Sequence, residues 1–82
     1  MKAPLNLPRE IAVLPGEAGV PAAIIRKGAR RRVLQVKDTW RVDDEWWRQE
    51  VSRLYFRLEL EGGIRLTVFQ DLVSLKWYEQ RA

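Results

Sequence analysis

The chain has 82 residues, enough for one small domain, a net charge of +4, and neither cysteine nor histidine. The absence of both excludes a disulfide framework and a thiolate zinc site, and it removes the commonest general base and metal ligand. No stretch approaches the roughly 18 apolar residues of a membrane span, and the first residues lack the apolar core of a signal peptide, so we expect a cytoplasmic protein without membrane contact.

The N-terminal residues 1–9 contain two prolines and show no periodicity, so they are predicted to form a flexible arm. Residues 10–82 are predicted to form a single small β domain, because no internal repeat or composition break divides them. Its first strand is expected at Glu10–Leu14, on the edge of a sheet.

A second strand is predicted at Ala22–Lys27, followed by a hairpin turn at Gly28-Ala29. Glycine in the first position of a two-residue loop is typical of a type II′ turn. That turn would place Ile24 opposite Val33.

The third predicted strand, Arg30–Val42, does not alternate cleanly. Val33 and Val36 are three residues apart, which puts them on opposite faces unless a bulge intervenes. We therefore predict a long, bent strand, as at the corners of small barrels, with Leu34, Val36 and Trp40 on one face.

The clearest alternation in the chain lies at Ser52–Glu61, where apolar and polar residues follow each other with a period of two. A three-residue loop, Glu61-Gly62-Gly63, keeps the apolar faces of this strand and the next together. It pairs Leu60 with Ile64, Leu58 with Leu66 and Phe56 with Val68 on the apolar face, and Glu59 with Arg65 and Tyr55 with Phe69 on the other.

A turn at Asp71–Ser74 and a last strand at Leu75–Gln80 complete the domain, with Trp77 and Tyr78 on opposite faces of that strand. The predicted fold is all-β: five or six antiparallel strands in a meander, forming a small SH3-like or OB-like barrel or a strongly twisted sheet.

A run of cations marks the second hairpin. Residues 1–37 carry eight basic and two acidic groups, whereas residues 38–82 carry seven and nine. Arg26, Arg30, Arg31 and Arg32, with Lys27 between them, are therefore candidate phosphate contacts in a nucleic-acid-binding protein. The alternative is a solvated hairpin end that keeps the protein soluble.

Aromatic residues form a second candidate surface. On the outer face of the last three strands, Tyr55 and Phe69 are interleaved with arginines, an arrangement that single-strand-binding sheets use to stack bases. Trp46 and Trp47 are adjacent, so one of them is expected to be exposed and able to contact a partner. Trp40 and Trp77 are expected in the core. The alternative is that the outer face packs against the N-terminal strand or a second subunit.

Catalysis and metal binding find little support. The acids Asp43-Asp44-Glu45 point in different directions along the chain and are expected to form a charged loop. The serines and threonines have no histidine to activate them, and no phosphate-binding glycine loop is present. We expect no enzyme, no cofactor and no metal.

Several motifs together resemble a known family. They are a proline followed by a strand, Gly28 to Arg30, DTWRVDDEWW, SRLYFRLEL, a Gly-Gly pair, TVFQDLV and a final Trp-Tyr. Over about residues 10–80 this pattern resembles the bacterial family of short domains of unknown function 6504. Its members occur alone or as the C-terminal appendage of the inactive Y-family polymerase homologue of the bacterial mutagenesis cassette. Where the family usually has glycine before the final Lys/Arg-Trp, this chain has Leu75, which would be strained if the turn needs a positive φ.

The resemblance implies a link to DNA damage tolerance for the appended members. With the basic hairpin, it leads us to expect a non-catalytic accessory module that binds nucleic acid in DNA repair or translesion synthesis. The alternative is a protein-interaction module that docks on a repair or replication protein, or on a second copy as a homodimer, without touching nucleic acid.

Overall fold

The computed structural model describes residues 8–46 and 49–80, except for the side chains of Trp46 and Gln49. Most of the predicted arm and Trp47 therefore lie outside the described residues. The strands are β1 (Arg9–Pro15), β2 (Pro21–Arg26), β3 (Ala29–Trp46), β4 (Gln49–Leu60), β5 (Ile64–Asp71) and β6 (Trp77–Glu79), with a single 3₁₀ turn at Glu17–Gly19. No helix in these ranges is long and apolar enough to cross a bilayer.

Each strand pairs antiparallel with the next, and β6 returns to β1, which closes a six-stranded meander barrel. The predicted all-β barrel is confirmed. The barrel consists of two sheets that share β1 and β3. The smaller sheet joins the second half of β1, β2 and the first residues of β3, and the larger sheet joins the rest of β3, β4, β5, β6 and the first half of β1.

The core lies between the two sheets and is built from the alternating residues of β4. Phe56, Leu58 and Leu60 are 0–2% exposed and pack with Ile24 of β2 and Val68 of β5. The predicted register of the β4–β5 hairpin is confirmed at all five pairs, from Leu60 opposite Ile64 to Tyr55 opposite Phe69. Alternation fixes this hairpin, because a slip of one residue would turn every apolar side chain outward.

The β2–β3 turn differs from the predicted one. Ile24 lies opposite Arg31, not Val33, and the two loop residues are Lys27 and Gly28. Both have positive φ, 52° and 75°, which is the type I′ geometry and not type II′. The register error is two residues, so each side chain keeps the face that the sequence predicts.

Strand β3 is longer than predicted and contains two irregularities, between Val33 and Gln35 and between Val36 and Asp38. The predicted bend is thus confirmed, and these irregularities let both Val33 and Val36 pack on the core. The shared face of Leu34, Val36 and Trp40 is wrong, because the irregularities leave Leu34 55% and Trp40 41% exposed. The acids Asp43 to Glu45, predicted as a loop, continue β3.

Strand β1 is not an edge strand, since its first residues pair with β6 and its last with β2. The last strand is shorter than predicted, at Trp77–Glu79. Trp77 packs on the core against Phe56, with the ring centroids 5.6 Å apart. Ahead of it, Leu75 has a φ of 68°, so this turn does need the left-handed conformation that leucine disfavours.

Candidate functional site

The β2–β3 hairpin gathers four cations, Lys27, Arg30, Arg31 and Arg32, which we call the basic hairpin. Lys27 occupies the turn, and Arg30 and Arg32 lie opposite Ile25 and Ala23 of β2. Because Arg30 and Arg32 are two residues apart, their side chains leave the smaller sheet on the same outer face, about 7 Å apart along the strand. This face presents two exposed guanidinium groups side by side.

Arg31 points to the other side of the smaller sheet. It lies opposite the buried Ile24, so its side chain leaves on the core side of this sheet. Its guanidinium reaches the β4–β5 turn: a Cβ atom at Gly62 would lie 2.9 Å from Arg31 Nη1. The basic hairpin therefore carries positive charge on both sides of the smaller sheet.

None of the four side chains of the basic hairpin forms an ion pair or a hydrogen bond within residues 8–46 and 49–80. Glu61, which lines the same groove, binds the backbone: its Oε1 accepts a hydrogen bond from the Arg32 backbone N–H at 2.9 Å. The Glu61 N–H in turn donates to the Arg32 carbonyl oxygen, also at 2.9 Å. The guanidinium groups thus remain available to an external anion.

A groove of about 530 Å³ runs beside these cations on the outer face of the smaller sheet. Its apolar lining comes from β1 and β2, through Leu14, Pro15, Ala22 and Ala23, and its polar lining from Arg30, Arg32 and Glu61. A lining that combines apolar side chains, two arginines and one carboxylate fits a ligand that has both charged and uncharged parts.

Arg26, a predicted member of the phosphate site, is placed elsewhere. It lies on the core side of β2, where its Nε and Nη2 donate to the two carboxylate oxygens of Glu79 at 3.1 and 3.0 Å. The hydrogen bonds to Glu79 raise the pKa of Arg26, against the opposing effect of partial burial. The Arg26 side chain is 24% and that of Glu79 11% exposed, so this bidentate pair joins β2 to β6 and is separate from the free cations.

The larger sheet carries four aromatic rings in a row across its outer face, from Trp40 through Tyr55 and Phe69 to Tyr78. We call this row the aromatic ladder. Successive ring centroids are 5.2, 4.9 and 5.2 Å apart, with interplanar angles of 4°, 39° and 21°. The ladder follows from register, since each ring lies directly opposite the next one on the neighbouring strand.

The rings of the aromatic ladder cover most of one another's surface. Phe69 is only 2% exposed, and the guanidinium carbon of Arg53 lies 4.6 Å from its ring centroid. Arg53 Nη1 also donates to the Tyr55 hydroxyl at 3.2 Å. Tyr55 and Phe69, predicted as base-stacking platforms, are therefore brought together, but Phe69 offers almost no ring surface to a ligand.

Trp40 is the functional candidate that the sequence misplaced. It was expected in the core, yet it ends the aromatic ladder on β3 with 41% of its surface exposed. Only the position of the two irregularities between Val33 and Asp38 decides its face. The predicted contacts Trp46 and Trp47 cannot be placed: the side chain of the first and the whole of the second lie outside the described residues.

Two of the cations near the aromatic ladder are paired with carboxylates. Arg57 Nη2 donates to Asp38 Oδ2, and Lys37 Nζ lies 3.4 Å from Glu59 Oε1. Arg53 lies directly opposite Asp71 in the sheet. Arg65, exposed on the same face and opposite Glu59, forms no ion pair among the described residues, so the charges of this face are only partly compensated.

Beyond the barrel, β3 and β4 continue as a two-stranded ribbon that exposes acids. Arg41 Nε and Ser52 Oγ each donate to Asp43, both at 2.7 Å, and these hydrogen bonds, with that from Arg41 the larger cause, lower the pKa of Asp43. No group of three or more His, Cys, Asp or Glu side chains in the described ranges is arranged to hold a metal ion.

Comparison of the chain with protein-family models, with curated proteins and with solved structures finds no match.

Proposed function

We propose that the protein is a non-catalytic accessory module that binds the phosphates of nucleic acid through the basic hairpin. The observation that supports this most directly is electrostatic: four cations within six residues have no partner in the described structure, whereas Arg57 and Lys37 on the larger sheet are each paired. Arg30 and Arg32 are unpaired and exposed, so they retain their full attraction for phosphate.

The backbone of the turn supports the same proposal. Lys27 takes a positive φ of 52° in a position where asparagine or glycine would be unstrained. A non-glycine residue in this region costs about 1 kcal/mol. A cation retained at the tip of the hairpin against this cost is consistent with a role for its charge.

A single strand fits the groove better than a duplex does. The alanine, leucine and proline side chains of its lining would contact a sugar or an unstacked base, while Arg30 and Arg32 contact the flanking phosphates. In a duplex the base faces are stacked on each other and only the phosphates would be used. The proposed place of this binding is DNA repair or translesion synthesis, in agreement with the family that the sequence resembles.

The contact set of this proposal is Lys27, Arg30, Arg31 and Arg32. It excludes Arg26, which is paired with Glu79, and Tyr55 and Phe69, whose rings pack against each other. The neutralisation of four phosphates on a single strand predicts a slope of about −2.8 in log affinity against log salt.

The test is fluorescence anisotropy of labelled single-stranded DNA at about 20 and 200 mM salt. We expect the affinity to fall roughly 600-fold over this tenfold increase in salt, because each released counterion contributes to the slope. Absence of binding at the lower salt concentration, or an affinity that salt leaves unchanged, would overturn the proposal.

A protein-interaction module is the second candidate function, and the exposed Trp40 at the end of the aromatic ladder favours it. The two functions use different faces of the barrel and are not exclusive.

A further inference from the structure

Strand β3 has a long free edge. Its pairing with β2 ends at Arg32, and from Val33 to Trp46 no described strand lies on the side away from β4. From Asp38 to Trp46 the register with β4 is regular, one residue opposite one, with no bulge. Proteins usually blunt such an edge with proline, lysine or a bulge, because its free N–H and C=O groups pair with any strand that approaches. This part of β3 contains neither proline nor lysine, although five of its nine residues are charged, four acids and Arg41.

The aromatic ladder ends on this edge. Trp40 stacks on Tyr55 at an interplanar angle of 4°, yet it keeps 41% of its surface exposed. A strand added beside β3 would place a residue directly opposite Trp40, at the spacing that the three existing pairs of rings have. Val42, 38% exposed on the same outer face, would be covered by the same strand.

The charges of β3 allow a second copy of β3 to be that strand. In an antiparallel pair related by a two-fold axis at Trp40, Trp40 faces Trp40 of the other copy, Arg41 faces Thr39, and Val42 faces Asp38. Asp43 then approaches Lys37, and no two like charges are opposed. The outer faces of the two larger sheets are continuous in this arrangement, because opposed residues of an antiparallel pair point to the same side.

Neighbouring registers are less favourable. With the axis at Arg41, Asp38 of each copy faces Asp44 of the other, which places two pairs of negative charges together. With the axis at Thr39, Arg41 of each copy faces Lys37 of the other, which places two pairs of positive charges together. An axis at Val42 avoids like charges but sets the carboxylate of Asp44 against the Trp40 ring in place of a second ring.

We propose that two copies of this chain associate through their β3 edges, with the two-fold axis at Trp40, so that the two aromatic ladders join into one row of eight rings. The interaction surface is the edge from Asp38 to Val42, and its partner is the same surface of a second copy. This association is independent of the basic hairpin, which lies at the other end of β3.

The oligomeric state tests the proposal by sedimentation equilibrium over a dilution series. The 9.7 kDa chain should reach twice this mass. Trp40→Lys places two ammonium groups together at the axis and should remain monomeric. In the monomer the lysine side chain lies over Tyr55 at the surface, so the fold should be preserved. Val73→Lys is the matched control, since Val73 is equally apolar and 60% exposed but lies in the β5–β6 turn. It should dimerise like the original chain.

Cysteine cross-linking tests the register, and the chain has no cysteine of its own to interfere. Cα atoms of directly opposed residues are about 4.5–5.5 Å apart, within the range of a disulfide. Trp40→Cys should therefore form a disulfide dimer under mild oxidation. Val42→Cys should not, because four residues of strand separate the two copies of Val42 by about 13 Å.

A monomeric original chain at all concentrations, or a Trp40→Lys variant that still dimerises, would overturn the proposal. Cross-linking of Val42→Cys in preference to Trp40→Cys would overturn the register.

Discussion

The outer faces of the two sheets differ in the state of their cations. On the smaller sheet, Arg30 and Arg32 stand beside an apolar groove without a carboxylate partner in the described structure. On the larger sheet, Arg57 binds Asp38, and Arg53 lies over Phe69 and donates to Tyr55. The number of arginines on a face therefore does not indicate an anion site. Arginines that lack a carboxylate partner do. If this is correct, substitutions on the larger sheet change stability, and substitutions in the basic hairpin change binding.

The largest effect on stability is expected on the aromatic ladder. Phe69→Ala should lower the free energy of unfolding by about 3–5 kcal/mol, because it removes a ring that is 2% exposed and leaves a cavity beside Tyr55 and Tyr78. Urea denaturation measures this loss. Phe69→Leu, which keeps most of the volume, should be folded and bind single-stranded DNA like the original chain. Weaker binding by this folded variant would show that the larger sheet contributes to the DNA site.

A smaller effect is expected at the ion pair between the sheets. Arg26→Met leaves the largely buried Glu79 carboxylate without its two hydrogen bonds and should cost about 2 kcal/mol. The double variant Arg26→Met/Glu79→Leu removes both charges and should recover part of this loss in the same denaturation experiment. DNA affinity should be unchanged in both, and a loss of affinity with stability intact would return Arg26 to the phosphate site.

The two strained turns give a matched pair of variants. Lys27 and Leu75 both have positive φ, at 52° and 68°. Lys27→Gly and Leu75→Gly should each stabilise the fold by about 1 kcal/mol in thermal or urea unfolding, because glycine adopts this conformation without strain. Leu75→Ala should bring no gain, since alanine keeps the Cβ atom. Only Lys27→Gly should lower the affinity for single-stranded DNA, because it removes one phosphate contact. Equal affinities for the two glycine variants would show that Lys27 does not contact the DNA.

The smallest effect concerns the acid range of pH. Hydrogen bonds from Arg41 first, and from Ser52, hold the pKa of Asp43 below its usual value. A lowered folded-state pKa stabilises the protein at pH values above the unfolded pKa, and this contribution disappears as the pH falls through the folded one. In Arg41→Ala the pKa of Asp43 should rise toward the usual value, as carboxyl chemical shifts in an NMR titration would report. A titration curve identical in both proteins would contradict the assigned cause.

How much of this structure the sequence predicts depends on local regularity. The β4–β5 hairpin was predicted residue by residue because its alternation spans both strands and only one loop length preserves it. The β2–β3 turn differs from the prediction because the observed loop, Lys27-Gly28, needs a lysine at positive φ. Residue propensity disfavours this conformation and therefore favours Gly28-Ala29. Trp40 was misplaced because the interrupted alternation between Val33 and Asp38 cannot locate the irregularities that set its face.

The candidate site shows the same division. The basic hairpin is visible as a run of cations, but the partner of Arg26 is 53 residues away and becomes its neighbour only when the barrel closes. In the same way, the carboxylates that pair the cations of the larger sheet follow from the cross-strand register and not from their spacing along the chain.

The most direct test of the account compares the two sets of cations at equal charge. Arg30, Arg31 and Arg32 are changed to alanine in one variant, and Lys37, Arg41 and Arg57, each paired with a carboxylate, in the other, so each variant loses three positive charges. The affinity of both for single-stranded DNA is measured by fluorescence anisotropy at about 20 mM salt, with folding checked by circular dichroism. If the free cations of the basic hairpin form the site, the first variant loses binding by more than about 100-fold, and the second stays within severalfold of the original chain. Equal losses in the two folded variants would show that net charge alone governs binding and would contradict the account.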